Sequence, residues 1–288
     1  MLPNFIIVGA PKAGTTSLYH YLSEHPDVFM SEPKEVNFFS KEEIEAQGLY
    51  YTDFKVKDMG AYQRLFDGVK HEKAVGEGSV SYLYYPDTPK KIKVALPDVK
   101  IIILLRNPVE RAFSHYLMDL RLGLVDIPFE NIVSHDVTNQ KIDLFYQQYI
   151  ELGLYYEQVK RYLNIFGQEK VKIYLQEDLR TRSDDVITGL YAFLGVDKSY
   201  RPDMERQHNA FSMPKRNMIG NLYTYNFMRA LVRNIIPDKL KNIMKGFVFD
   251  NKPKPVLAPE TKRKLQDLYL GDIEKLEKVI DRDLSAWK

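Results

Sequence analysis

The sequence predicts an α/β fold in which a central parallel sheet is flanked by helices. Three observations carry this. The apolar runs at Phe5 to Val8 and Ile101 to Leu105 are continuous rather than alternating, as strands covered on both faces require. Segments of helical period lie between the strand-like segments, the order that builds a parallel sheet. Each of the two apolar runs also gives way, after a short loop, to the start of a helix. With 288 residues and no repeat or long linker, a single domain over residues 1–288 with a full core is expected.

The first strand enters a loop with Gly9, Pro11 and Gly14, and a helix from about Thr15 to Ser23 follows with Leu18 and Leu22 inward. "HPDVFMSEPKEVNFFS" reads as a turn-rich stretch ending in aromatics. Residues 41–71 are mixed and tyrosine-rich, with one helix expected around Tyr62 to Phe66. "AVGEGSVSYLYYP" reads as a short strand and a loop, and "DTPKKIKVAL" as a helix with Asp87 or Thr88 near its N-cap. The strongest strand ends at Arg106, and Pro108 opens the next helix where its missing N–H costs little. On that helix Val109, Ala112, Phe113, Tyr116, Leu117 and Leu120 form an apolar stripe, with Ser114 on the polar flank beside Glu110 and Arg121.

A helix from Tyr155 to Phe166, the strand "KVKIYLQ" and a helix from Asp184 to Leu194 complete the alternation. Residues 203–258 contain a loop, "QHNAFSMPKRN", an amphipathic helix, "LYTYNFMRALVRNII", and a proline-punctuated segment. The basic aromatic helix at 222–236 is the one candidate for membrane contact, although packing on its own domain is the commoner case. The last helix, Glu260 to Val279, carries Leu265, Leu268, Tyr269, Ile273, Leu276 and Ile280 on one face and is expected to cap the sheet.

Lys and Arg number 41 against 39 Asp and Glu, a net charge of +2, so no overall basic field points to nucleic acid and any anion site must be local. Cysteine is absent, which removes disulfides, thiolate metal sites and cysteine nucleophiles. The six histidines are scattered, and His20 and His25 do not share a helical face, so no metal site is expected. Strand-like sequence begins at Asn4 and no apolar run approaches the roughly 20 residues of a membrane helix. A soluble, cytoplasmic protein is the expectation.

Ligands of such sheets bind outside the carboxyl ends of the strands, where the loop after Val8 and Arg106 after Leu105 both fall. A glycine-containing loop running into a helix N-terminus is a phosphate cradle, which makes the three-layer arrangement P-loop-like. The nucleoside-triphosphate motif G-x-x-x-x-G-K-[ST] has its lysine after the second glycine. Here Thr15 follows Gly14, and Lys12 lies inside the loop. Either the loop is a degraded nucleotidase loop or it serves another phosphate donor. A nucleotidase would place a magnesium-binding carboxylate at the end of the second strand, where this chain has Arg106. Fixed cations suit a donor with phosphates at two positions, one in the Gly9 to Ser17 cradle and one on Arg106 with the Ser114 hydroxyl.

These residues resemble the sulfotransferases that use 3′-phosphoadenosine 5′-phosphosulfate (PAPS). "PKAGTTSL" resembles their 5′-phosphosulfate loop, and "LLRNPVERAFSHY", with arginine eight positions before serine, their 3′-phosphate element. The tail "DRDLSAW" is similar to endings of bacterial members. The resemblance implies that Lys12 sits at the bridging oxygen between phosphate and sulfonate. It further implies that Ala13, Gly14, Thr15, Thr16 and Ser17 complete the 5′-phosphate site, with Arg106 and Ser114 on the 3′-phosphate. The implied reaction is a metal-free in-line displacement that releases adenosine 3′,5′-bisphosphate.

"PKEVNFF" resembles the segment in which heparan sulfate sulfotransferases carry a catalytic glutamate, which assigns Glu35 as the base. From the residues alone Glu35 reads as a surface glutamate paired with Lys34; His20, His25 and Asn37 rank behind it. Where that branch has Glu-Lys-Ser/Thr, this chain has Glu77-Gly78-Ser79 and lacks a second active-site lysine. "HNAFSMPKRN" resembles the loop closing over the cofactor, with Lys215 and Arg216 as phosphate contacts and Lys252 and Lys254 behind them. The implied acceptor bears a hydroxyl or amine, a carbohydrate in preference to a lipid or small alcohol, in a pocket shaped by residues 50–85 and 218–250. The rival readings are a magnesium-dependent P-loop nucleotide kinase and a noncatalytic nucleotide-binding protein.

Overall fold

In the computed structural model, which describes residues 1–49, 54–204, 213–214, 249–250 and 255–288, the two apolar runs lie side by side at the centre of a sheet. In chain order the elements are β1 (Phe5–Gly9), α1 (Thr15–Ser23), β2 (Val28–Met30), α2 (Lys41–Ala46), α3 (Met59–Arg64), β3 (Ala74–Gly78), α4 (Thr88–Ala95), β4 (Lys100–Leu105), α5 (Pro108–Arg121), α6 (Phe129–Ser134), α7 (Ile142–Tyr149), α8 (Tyr155–Phe166), β5 (Val171–Leu175), α9 (Gln176–Thr181), α10 (Ser183–Leu194), the short strands β6 (Met213–Pro214) and β7 (Phe249–Asp250), and α11 (Pro259–Ile280). The five-stranded sheet has the order β2-β3-β1-β4-β5 and every pairing in it is parallel. Phe5 to Val8 and Ile101 to Leu105 are fully buried, as central strands covered on both faces must be. Gly76 of β3 leaves room for the Phe5 ring, since a Cβ there would lie 2.2 Å from it.

Three differences from the sequence reading have physical causes. β2 falls inside the stretch read as turns: its three residues are too few to show a period, and as the edge strand it takes its pairing from β3. Helix α3 begins earlier than expected because the Asp58 carboxylate accepts the Ala61 N–H at 2.7 Å and caps it there. Helix α11 packs chiefly on α8, α5 and α6 rather than on the sheet. Its Asp272 caps α8 from outside, accepting the N–H groups of Tyr155 (2.7 Å) and Tyr156 (3.2 Å). The tail then buries Trp287, whose Nε1–H donates to Glu177 on α9, while Arg282 pairs with Asp178.

Among the described residues no helix is long and apolar enough to cross a membrane. The amphipathic segment 222–236 lies outside the described residues.

Candidate active site

Among the described residues, the loop after β1, Arg106 after β4 and the Glu35 segment meet at the carboxyl edge of the sheet. After β1, the Ala10 N–H donates to Leu104 O at 2.7 Å and ties the loop to β4. Lys12 (φ 66) and Gly14 (φ 97) then take left-handed backbone conformations, and at Gly14 any side chain would be strained. Gly14 is the N-cap of α1 and brings no capping side chain, so the N–H groups of the first helical turn face the cavity side with the positive end of the helix. Thr15, Thr16 and Ser17 line that cavity together with Pro11, Lys12 and Gly14.

The cations converge on the same place. Arg106, directly after β4, donates from Nη1 to Lys12 O at 3.2 Å and pairs with Glu110 at 3.0 Å. The Lys12 ammonium lies 3.3 Å from Met118 Sδ on α5. Burial, then the charge of Arg121, pulls its pKa down to about 8; Arg106 and Lys34 add to this and Asp119 opposes it. Ser114 and Met118, four residues apart on α5, both line the cavity. Beside them runs a buried polar stripe. Arg111 donates to Gln148 O and Tyr149 O, His115 Nδ1 lies 3.0 Å from Gln148 O, and Asp119 accepts the Tyr149 hydroxyl at 2.9 Å, anchoring α5 to α7.

Glu35, in the segment after β2, reaches this edge by running alongside β3. Its N–H donates to Gly78 O at 2.9 Å, and its Oε2 accepts the Val80 N–H at 2.9 Å while Oε1 pairs with Lys34. Asn37 steadies the turn, its N–H on Ser79 Oγ at 3.0 Å and its Nδ2 on Glu35 O at 3.1 Å. Ser79 in turn donates to Glu77 at 2.8 Å, and Tyr62 to the other Glu77 oxygen at 2.9 Å. Glu77 is fully buried. Burial pushes its pKa up to about 7 against the hydrogen bonds from Ser79, Tyr62 and Tyr82, and the nearby Glu35 charge adds to the rise.

A family model described as a sulfotransferase domain matches residues 2–279. The chain belongs to the sulfotransferase domain family. Among solved structures, a sulfotransferase from Alicyclobacillus acidocaldarius is similar at a TM-score of 0.73 and 34% identity, covering 100% of this chain and 99% of that one. Among curated relatives, the bifunctional heparan sulfate N-deacetylase/N-sulfotransferase 3 of Homo sapiens is 27% identical over 209 residues, 69% of this chain and 23% of the relative. The heparan sulfate glucosamine 3-O-sulfotransferase 3A1 of Mus musculus is 28% identical over 198 residues, 68% of this chain and 47% of the relative. The chain thus spans less than half the length of these curated relatives.

In this sulfotransferase domain, Lys12, Gly14, Thr15, Thr16, Ser17, Glu35, Arg106 and Ser114 all line one cavity of about 530 Å³. Ala13 stands apart: it is buried in the core and its N–H is bonded to Ala10 O at 3.3 Å. Lys215, Arg216, Lys252 and Lys254 lie outside the described residues. Asn37 lines the cavity, whereas His25 is held elsewhere by Asp197 O at 2.9 Å and by the ring of Tyr191. Sequence reasoning left out Gln176, which lines the cavity from the residue after β5; the carboxyl-end rule that singled out Arg106 would have found it. It also left out Lys34 as a cavity residue. The pair with Glu35 is present as the residues suggested, and both partners face the cavity.

Proposed function

We propose that this chain transfers a sulfonate from 3′-phosphoadenosine 5′-phosphosulfate to a hydroxyl or amine of an acceptor by in-line displacement. The observation that carries the proposal is the single cavity that joins the Lys12 cradle, the Arg106–Ser114 pair and Glu35. The donor fits these residues: an uncapped helix start and a half-buried lysine offer fixed positive charge for one phosphate, and a forked guanidinium and a hydroxyl lining the same cavity offer contacts for another. The bound donor supplies an activated sulfonate.

The chain does the rest. The N–H groups and hydroxyls at Thr15, Thr16 and Ser17 hold the 5′-phosphate, and Arg106 with Ser114 holds the 3′-phosphate, Glu110 ceding part of the guanidinium. The Lys12 ammonium stabilises charge gathering on the bridging oxygen, the role a metal plays for phosphoryl groups. Glu35 takes the acceptor proton at Oε1 as Lys34 releases it, with Oε2 kept in place by the Val80 N–H. A carbohydrate acceptor is favoured by the similarity to proteins named for heparan sulfate.

Thermal unfolding with adenosine 3′,5′-bisphosphate, compared with ATP plus magnesium, tests the donor. The bisphosphate alone is expected to raise Tm, and Arg106→Ala to weaken that shift. Protection by ATP only with magnesium would favour a kinase. Glu35→Gln is expected to lower turnover by about 10²–10⁴-fold with bisphosphate binding intact, and Lys12→Ala by about 10²–10³-fold. Intact turnover in Glu35→Gln would remove the base assignment, and binding without transfer to any acceptor would leave a noncatalytic binding protein.

A further inference from the structure

The cavity that holds Glu35 is also lined by Ile44, Leu49, Tyr84, Tyr85 and Leu152. Ile44, Leu49 and Tyr85 are buried as a small cluster of their own, separate from the main core, with Tyr84 packed against it. The tyrosine hydroxyls are engaged: Tyr84 donates to Glu151 at 2.8 Å and Tyr85 to Gln47 at 2.8 Å, and Gln47 is held by Gln147 at 2.6 Å. These bonds hold the two rings in place as fixed walls.

Charge is distributed unevenly along the cavity. Among the described residues that line it, the cations are Lys12, Lys34 and Arg106. Lys12 and Arg106 belong to the phosphate cradle, and the charge of Lys34 is matched by Glu35. The end lined by these residues has aromatic and aliphatic walls, with the Glu151 carboxylate and the Arg161 guanidinium both bonded to Tyr84 and so balancing one another. An anionic group placed there would lose its hydration and, among the described lining residues, would meet no cation beyond the Lys34 already paired with Glu35. An uncharged ring loses little on entry and gains contact with tyrosine faces.

We propose that the acceptor is an uncharged alcohol with an apolar face, such as the ring of a neutral glycoside or an alicyclic alcohol, seated against Tyr84 and Tyr85 with its hydroxyl toward Glu35. The proposal rests on the sulfotransferase reading and narrows it, because it rejects polyanionic chains as acceptors. The step is balanced: the acceptor oxygen forms the new bond to sulfur, the bond from sulfur to the bridging oxygen breaks, adenosine 3′,5′-bisphosphate leaves with that electron pair, and Glu35 receives the proton.

The test follows labelled sulfonate transfer to three acceptors: octyl β-D-glucopyranoside, cyclohexanol and N-desulfated heparin, each at about 50 and 500 mM salt, a range that screens surface charge strongly. The expected result is transfer to at least one neutral acceptor at a KM that salt changes less than twofold, with the first two arms separating sugar from alicyclic alcohol. Tyr84→Ala is expected to raise that KM at least tenfold with the bisphosphate Kd unchanged, and Tyr84→Phe, which keeps the ring, to recover most of the loss. Faster transfer to the heparin, with a KM that climbs steeply with salt, would overturn the proposal. So would bisphosphate binding without transfer to either neutral acceptor. Failure to bind the bisphosphate would instead overturn the donor reading on which it rests.

Discussion

Lys12 carries the most demanding electrostatics of the site: an ammonium half-buried among Arg106, Arg121 and Lys34, with its pKa drawn down to about 8 by burial first and by those cations after it. A phosphate oxyanion beside it favours the charged form and raises that pKa. Binding above pH 8 therefore takes up a proton. The affinity for adenosine 3′,5′-bisphosphate is expected to fall as pH rises past about 8, by up to about tenfold per pH unit, and to change much less between pH 7 and 8, where the phosphates are still ionised. Calorimetry at pH 7, 8 and 9 in buffers of different ionisation enthalpy measures both the affinity and the proton. Lys12→Arg, which stays charged throughout, is expected to lose the slope, and a flat wild-type profile would show that Lys12 does not face the phosphate. Lys12 and Arg106 were legible in the sequence because each follows a strand whose apolar run marks it out. Glu35 was legible only through its resemblance to a known segment, since nothing in its neighbours distinguishes it from a surface glutamate paired with Lys34.

The elements that read clearly are the ones whose pattern repeats long enough to be seen: β1, β4, α1, α5, α8, α10 and α11. β2 was not seen, because three residues cannot show a period and its pairing with β3 is a tertiary event. The polar stripe of Arg111, His115 and Asp119 on α5 was also hidden, because its burial depends on the carbonyls and tyrosine of α7 arriving opposite it. A similar long-range device holds α8, whose N-terminus is capped by Asp272 from α11. Asp272→Ala is expected to lower stability by about 1–2 kcal/mol, the worth of a good N-cap. Urea unfolding reads this directly, and a loss well under 0.5 kcal/mol would show that water replaces the cap at about that cost.

Across the whole molecule, the buried Glu77 makes stability depend on pH. Its folded pKa of about 7 lies above the ordinary value of 4.5, so between those values the folded chain binds more protons than the unfolded one. The contribution is complete below pH 4.5 and is lost as pH rises through about 7. An upper bound is about 3 kcal/mol at 1.36 kcal/mol per pKa unit. Urea midpoints at pH 5, 6, 7 and 8 are expected to decline for the wild type and to flatten for Glu77→Gln; equal slopes would assign the pH dependence to other groups. The arrangement of the site belongs to this scale too. By itself the sequence determined the parallel α/β architecture, the cradle after β1 and the cation after β4, because these depend on local patterns of apolar runs, glycines and helix starts. Only the tertiary structure decided that Glu35 runs alongside β3 to the same edge, that Gln176 joins it, and that Tyr84 and Tyr85 line the same cavity. Those placements depend on strand order and on contacts between residues far apart in the chain, and neither leaves a local trace.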